Sequence, residues 1–225
     1  MTTVVDRDDL VACHEVARTF GRGATAVVAV HGLTCRIRAG DLIALTGPSG
    51  SGKSTALHLL AGLDEPTTGS ITWPAIGDRG ALRPGPVSMV FQGPSLMPSL
   101  DVLENVALPL VLAGANDRDA RSAADEALDR LGMQGLRERA PDQLSAGQAQ
   151  RVAVARALAG APVLLLADEP TGQLDRANAA LVIDALITTA STTGAALIVA
   201  THDPRVASRL TIRWDIADGR LSQDR

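Results

Sequence analysis

The chain has 225 residues, 46% of them apolar and 20% charged, with 21 basic against 25 acidic side chains and a formal net charge of -4. That length suits one domain, or one domain carrying a small inserted lobe, long enough to bury about 70% of the surface its unfolded chain exposes without a disulfide or metal staple. Mild acidity, 2% aromatics and the absence of tyrosine argue against a nucleic-acid partner.

Alternating stretches at 10–20 and 26–37, with the turn Gly21-Arg22-Gly23 between them, predict an antiparallel hairpin lobe at the N-terminus. Cys13 and Cys35 fall in that lobe. Without a CxxC pair they read as small buried hydrophobes of a reducing cytosol. The segment before the lobe, Met1 to Asp9, lacks the basic and apolar regions of a secretion signal.

Leu42–Thr46 has the apolar run of a buried strand, and Thr55 to Ala61 the character of a helix. Between them lies Gly47-Pro48-Ser49-Gly50-Ser51-Gly52-Lys53-Ser54-Thr55, which fits GxxxxGK[ST] in the strand–loop–helix setting that motif requires. Gly47, Gly50 and Gly52 free the backbone to aim successive N–H groups at an anion, and the helix N-terminus adds its dipole. Lys53 supplies a mobile charge for the phosphates and Ser54 a hydroxyl for Mg²⁺. Lys53 is also the one lysine beside twenty arginines.

Pro74–Pro86 is rich in Gly and Pro and reads as a loop. A strand is predicted at Val87–Phe91. From 93 to 160 the period turns helical, with Arg121/Asp125 and Glu126/Arg130 as i,i+4 pairs on a solvated face. Ser145 is an expected N-cap for the helix beyond it, which makes a second helix N-terminus suited to an anion. Val163–Asp168 is a second buried strand. It places Asp168 where ligands of open parallel sheets gather, as a Mg²⁺ carboxylate, and Glu169 beside it as the residue that orients or deprotonates a water. The apolar strand Ala195–Ala200 leads through Thr201 to His202. His14, His31 and His58 match no motif and read as structural or surface residues. No apolar run reaches the roughly 18 residues of a membrane span.

Leu144-Ser145-Ala146-Gly147-Gln148 resembles the signature sequence of the ATP-binding-cassette (ABC) ATPases. Other elements of that family fall in order along residues 10 to 222. Gln92 resembles the glutamine that senses Mg²⁺ and the attacking water, Gly172-Gln173-Leu174-Asp175 the D-loop, and His202 the switch histidine that contacts the γ-phosphate. Phe20 resembles the aromatic that stacks on adenine, with a core phenylalanine as the competing reading. The departures are Ala146 for glycine, Ala149 for glutamine and Phe20 for tyrosine. Alanine restricts φ, so the helix start at 146 must avoid the left-handed region.

The resemblance implies an α/β fold: a phosphate-loop NTPase (RecA-like) core with an N-terminal antiparallel β lobe, about residues 1–92 and 161–225, and an inserted α-helical signature subdomain at about 93–160. It implies ATP and Mg²⁺ as cofactors. It also implies a head-to-tail dimer in which the loop of one copy and the signature of the other enclose each nucleotide. The partner would be a separate membrane permease, the chain sitting in the cytoplasm on the inner face of the membrane. His58 to Gly69 and Glu104 to Leu110 are similar to the lipoprotein-release and macrolide-efflux branch. A soluble assembly ATPase, such as those of iron–sulfur cluster assembly, is the reading from a different class. DNA-maintenance and translation-factor relatives carry coiled-coil insertions or tandem cassettes, which this chain lacks.

Overall fold

In a computed structural model, residues 6–224 are described. β1 (Asp9–Phe20) and β2 (Val27–Arg38) pair antiparallel, as the alternation predicts, with Cys13 opposite Cys35. Both thiols are buried, and the neighbouring Cys35, then burial, pushes the Cys13 thiol well up, so the pair is inert packing. Asp9, the first residue of β1, is fully buried, and the Arg38 guanidinium of β2 meets it at 3.1 Å.

A second sheet holds β3 (Leu42–Thr46), β5 (Val87–Val90), β6 (Leu164–Asp168), β7 (Ala196–Ala200), β8 (Ile212–Ala217) and β9 (Arg220–Asp224). Its order is β5-β6-β7-β3-β8-β9, parallel throughout except for β9. β4 (Thr68–Thr72) joins the outer edge of β1. The apolar runs of β3, β6 and β7 follow from burial on both faces. Ala44, Leu165, Ala167, Leu197 and Val199 pack with the helical layer. Ile43, Leu45, Leu164, Leu166, Ile198 and Ala200 pack with the β lobe and α1 (Lys53–Leu60). Each fully buried leucine here is worth about 2 kcal/mol of transfer free energy. Trp73 fastens the lobe to α1 by donating its indole N–H to the Leu60 carbonyl at 2.9 Å.

The remaining helices are α2 (Val102–Leu112), α3 (Asp117–Arg130), α4 (Ala146–Leu158), α5 (Arg176–Thr193) and the short α6 (Pro204–Ala207). Each starts on a side-chain cap: Asp101, Asn116, Ser145, Asp175 and Asp203. The Arg130–Glu126 pair forms at 3.8 Å. The expected Arg121/Asp125 pair does not. Arg121 turns back to Asp117 at 3.1 Å and Glu104 at 3.7 Å, while Arg137 takes Asp125. Acids stand four residues to either side of Arg121, and the more remote Arg137 decides between them. The Pro74–Pro86 stretch is turns around a short 3-10 segment, Arg79–Ala81. β4, β8 and β9 were not among the expected strands.

Candidate functional site

Four parallel strands end at the same edge of the sheet. Gly47 follows β3 directly, Gln92 comes two residues after β5, Asp168 is the last residue of β6, and His202 comes two residues after β7. Gln92, Asp168 and His202 thereby line one cleft of about 610 Å³ with Ser49, Gly50, Gly52, Lys53, Ser54 and Thr55 of the loop that begins at Gly47. Its other walls are Glu169, Gly172, Gln173 and Ala29 of β2.

The phosphate loop is built by exclusion of side chains. A Cβ on Gly47, at φ +146, would stand 2.1 Å from the Ile216 carbonyl. One on Gly52, at φ +104, would stand 2.2 Å from the Ala29 carbonyl. No residue but glycine fits either place. Gly219 closes the loop from behind, giving its N–H to the Ser51 carbonyl at 3.0 Å and accepting from the His31 N–H at 2.7 Å. Pro48 and Ser49 are exposed on the loop's rim. The Lys53 ammonium donates to the carbonyls of Gly47 (2.8 Å) and Pro48 (2.9 Å), which leaves one of its three donors for an anion. The Ser51 hydroxyl oxygen is buried within the loop without a protein partner, and Ser51 is not among the residues lining the cleft.

Asp168 is buried, 5% exposed, at the mouth of β6. Glu169 follows at φ +46, the left-handed region, which costs a non-glycine residue about 1 kcal/mol. Its N–H is held by the Ala200 carbonyl at 3.0 Å, and its own carbonyl accepts from Gly172 at 3.1 Å. The turn sends the carboxylate to His202, whose Nδ1 lies 2.9 and 3.0 Å from the two oxygens. With a carboxylate as acceptor, Nδ1 carries the hydrogen, and Nε2 is the ring nitrogen outside that contact.

Ser145, Ala146, Gly147 and Gln148 are not among the residues lining this cleft. They open α4 instead, where Ser145 and Gln148 form a reciprocal capping box. Ala146 lies in the helix proper and outside the left-handed residues, so the alanine there is unstrained. A Cβ on Gly147 would come 3.3 Å from the Leu174 side chain, so the D-loop packs across this helix start. Phe20 is 43% exposed at the end of β1, which removes the core reading, and the Arg18 guanidinium stands 4.6 Å over its ring.

The ABC transporter family model matches residues 30–172. The chain belongs to the ABC transporter family. The cassette is 42% identical over 210 residues to the lipoprotein-releasing system ATP-binding protein LolD of Legionella pneumophila (strain Paris), covering 90% of this chain and 92% of that one. It is 39% identical over 224 residues to the uncharacterized ABC transporter ATP-binding protein Rv0986 of Mycobacterium tuberculosis, covering 96% and 90%. Among solved structures it superposes with TM-score 0.88 on the ATP-binding cassette MJ0796, a dimer in a post-hydrolysis state with ADP and Pi, at 33% identity over 96% of this chain and 98% of that one. The chain is therefore a nucleotide-binding ATPase with the α/β phosphate-loop fold. Sequence reasoning missed Ala29, Ile216 and Gly219, which act through backbone atoms and carry no side-chain signal. Among the described residues no helix is long and apolar enough to cross a membrane.

Proposed function

We propose that this cassette is the ATPase subunit of a membrane transport complex of the lipoprotein-release type, working as a head-to-tail pair of copies. The observation that carries the reading is a division within the chain: the cleft collects the phosphate loop, Gln92, Asp168, Glu169 and His202, while the signature end of α4 stands outside it. A nucleotide in that cleft is open to solvent until a second copy brings its own α4 over it. The dimeric MJ0796 relative supports this, and the LolD relatives support the branch.

The loop N–H groups and Lys53 hold the triphosphate, and Phe20 offers a ring face to adenine. Ser54, Asp168 and Gln92 offer a hydroxyl, a carboxylate and an amide oxygen, a hard oxygen donor set that fits Mg²⁺ with phosphate and water oxygens completing it. Among the described residues no cluster of three His, Cys, Asp or Glu competes for the ion. When bound, Mg²⁺ neutralises charge on the transferring phosphoryl group. Glu169 accepts the proton of the attacking water at its carboxylate, and the His202 Nδ1–H keeps that carboxylate aimed. ATP favours the closed pair, and its cleavage removes the contact that favoured closure. The work passes to an integral membrane partner, with the cassette peripheral on the cytoplasmic face. Affinity purification from membranes tests this. An integral membrane protein should be recovered in stoichiometric amount, and its presence should raise ATP turnover. Recovery solely with soluble assembly factors would overturn the transport reading.

A further inference from the structure

The stretch from Phe91 to Leu100 that presents Gln92 to the cleft has neither helix nor strand, and Ser95 within it sits at φ +46. Side chains of the helical layer hold it. Arg156 of α4 donates from Nη1 to the Ser95 carbonyl at 2.9 Å and from Nη2 to the Pro94 carbonyl at 3.1 Å. Gln150, earlier on α4, donates its amide to the Phe91 carbonyl at 3.4 Å. Farther along, the buried Asn105 of α2 pins Met97 and Leu100 by their backbone groups. Gln92 thus stands between two carbonyl anchors, both made by the helix that begins at Ser145.

Neither anchor is an economical way to fill a core. Burial alone lowers the Arg156 pKa, and among the described residues no carboxylate pairs with it. Gln150 is 1% exposed and keeps its Oε1 without a partner, a cost of about 1–3 kcal/mol that a leucine or methionine would avoid. The planar fork of a guanidinium presents its two N–H groups to the Pro94 and Ser95 carbonyls in one fixed geometry, whereas an ammonium on a flexible stem is not pre-organised for both.

We propose that Arg156, seconded by Gln150, is a positioning residue of the ATPase reaction: it fixes the backbone on both sides of Gln92 and so sets where that amide meets the cleft. The proposal rests on the ATPase reading, so wild-type turnover is measured first in the same assay; its absence would fault that reading and not this one.

The test is a double-mutant cycle in the full chain, with ATP as the probe. Arg156→Met should lower kcat about tenfold while KM for ATP stays within about twofold, because a displaced catalytic group loses rate and not substrate binding. Arg156→Lys, which keeps the charge and loses the fixed fork, should fall between. In a Gln92→Ala background, Arg156→Met should cost less than about twofold more, since its effect runs through Gln92. Losses that multiply in the double variant, or an unchanged kcat in folded Arg156→Met, would overturn the proposal. If thermal melting shows Arg156→Met unfolded, Arg156→Lys runs the same cycle and is judged by the same two outcomes.

Discussion

The starts of α1 and α4 are two helix N-termini with opposite construction. Gly52 precedes α1 in a left-handed conformation and offers no side chain to cap it. Ser145 precedes α4 in an extended conformation, and its hydroxyl accepts from the Gln148 N–H at 3.3 Å while the Gln148 side chain accepts from the Ser145 N–H at 2.8 Å. The first end is left open and lies in a walled cleft beside Lys53. The second is capped by its own side chains and stands outside that cleft. An open end suits tight, permanent possession of an anion, whereas a self-capped end is stable alone and suits a contact made and released with each cycle.

The largest expected effect joins the two ends. Glu169→Gln should lower turnover about a thousandfold with ATP affinity retained, the loss expected of a general base. The undischarged nucleotide should then hold two copies together, read as a dimer on a sizing column with ATP. Normal turnover in that variant would remove Glu169 from the role. Next, Lys53→Ala strips the open end of its ammonium and should weaken ATP binding about a hundredfold, roughly 3 kcal/mol by calorimetry. Unchanged affinity would overturn the assignment of the loop.

Ser145→Ala sharpens the contrast at the capped end. It should cost about 1 kcal/mol in thermal or urea unfolding. ATP affinity of the single chain should not move, while turnover of the pair falls; an equal loss of affinity would mean that α4 belongs to the same-chain cleft. The smallest effect concerns α6, whose cap is a charged side chain. Hydrogen bonds from the Arg205 side chain and then its backbone N–H bring the Asp203 carboxyl from 3.8 to about 2. A carboxyl lowered on folding stabilises above its ordinary pKa and loses that contribution as pH falls through the folded value. Stability should therefore decline between about pH 4 and pH 2, and less steeply in Asp203→Asn, as followed by acid titration of circular dichroism. Parallel acid curves would remove Asp203 from the effect.

Much of the cleft is legible in the sequence because its chemistry sits on strand ends. β3 runs Leu42–Thr46 as the apolar run predicts, and Asp168 ends β6 as expected. Two-sided burial writes itself as continuous hydrophobicity, and a glycine-rich stretch after it has few other uses. The β8 strand escapes for the opposite reason. Ile212-Arg213-Trp214-Asp215 alternates apolar with charged, since Trp214 and Ile216 are buried while Arg213 is exposed. Its partner in the sheet, β3, is some 170 residues earlier in the chain, with Thr46 opposite Asp215. The walls behind the phosphate loop, the carbonyls of Ala29 and Ile216, are backbone atoms that no residue type announces. The lobe's third strand, β4, is likewise short and mostly exposed, with little pattern to read.

The lone lysine has a practical corollary. Because every other basic side chain is an arginine, reductive methylation with isotope-labelled formaldehyde would place a single side-chain dimethylamine signal in the protein, inside the phosphate loop. With two of its hydrogens engaged by the Gly47 and Pro48 carbonyls, that amine would be slow to label, and its protection rate would serve as a spectroscopic gauge of how tightly the cleft is shut.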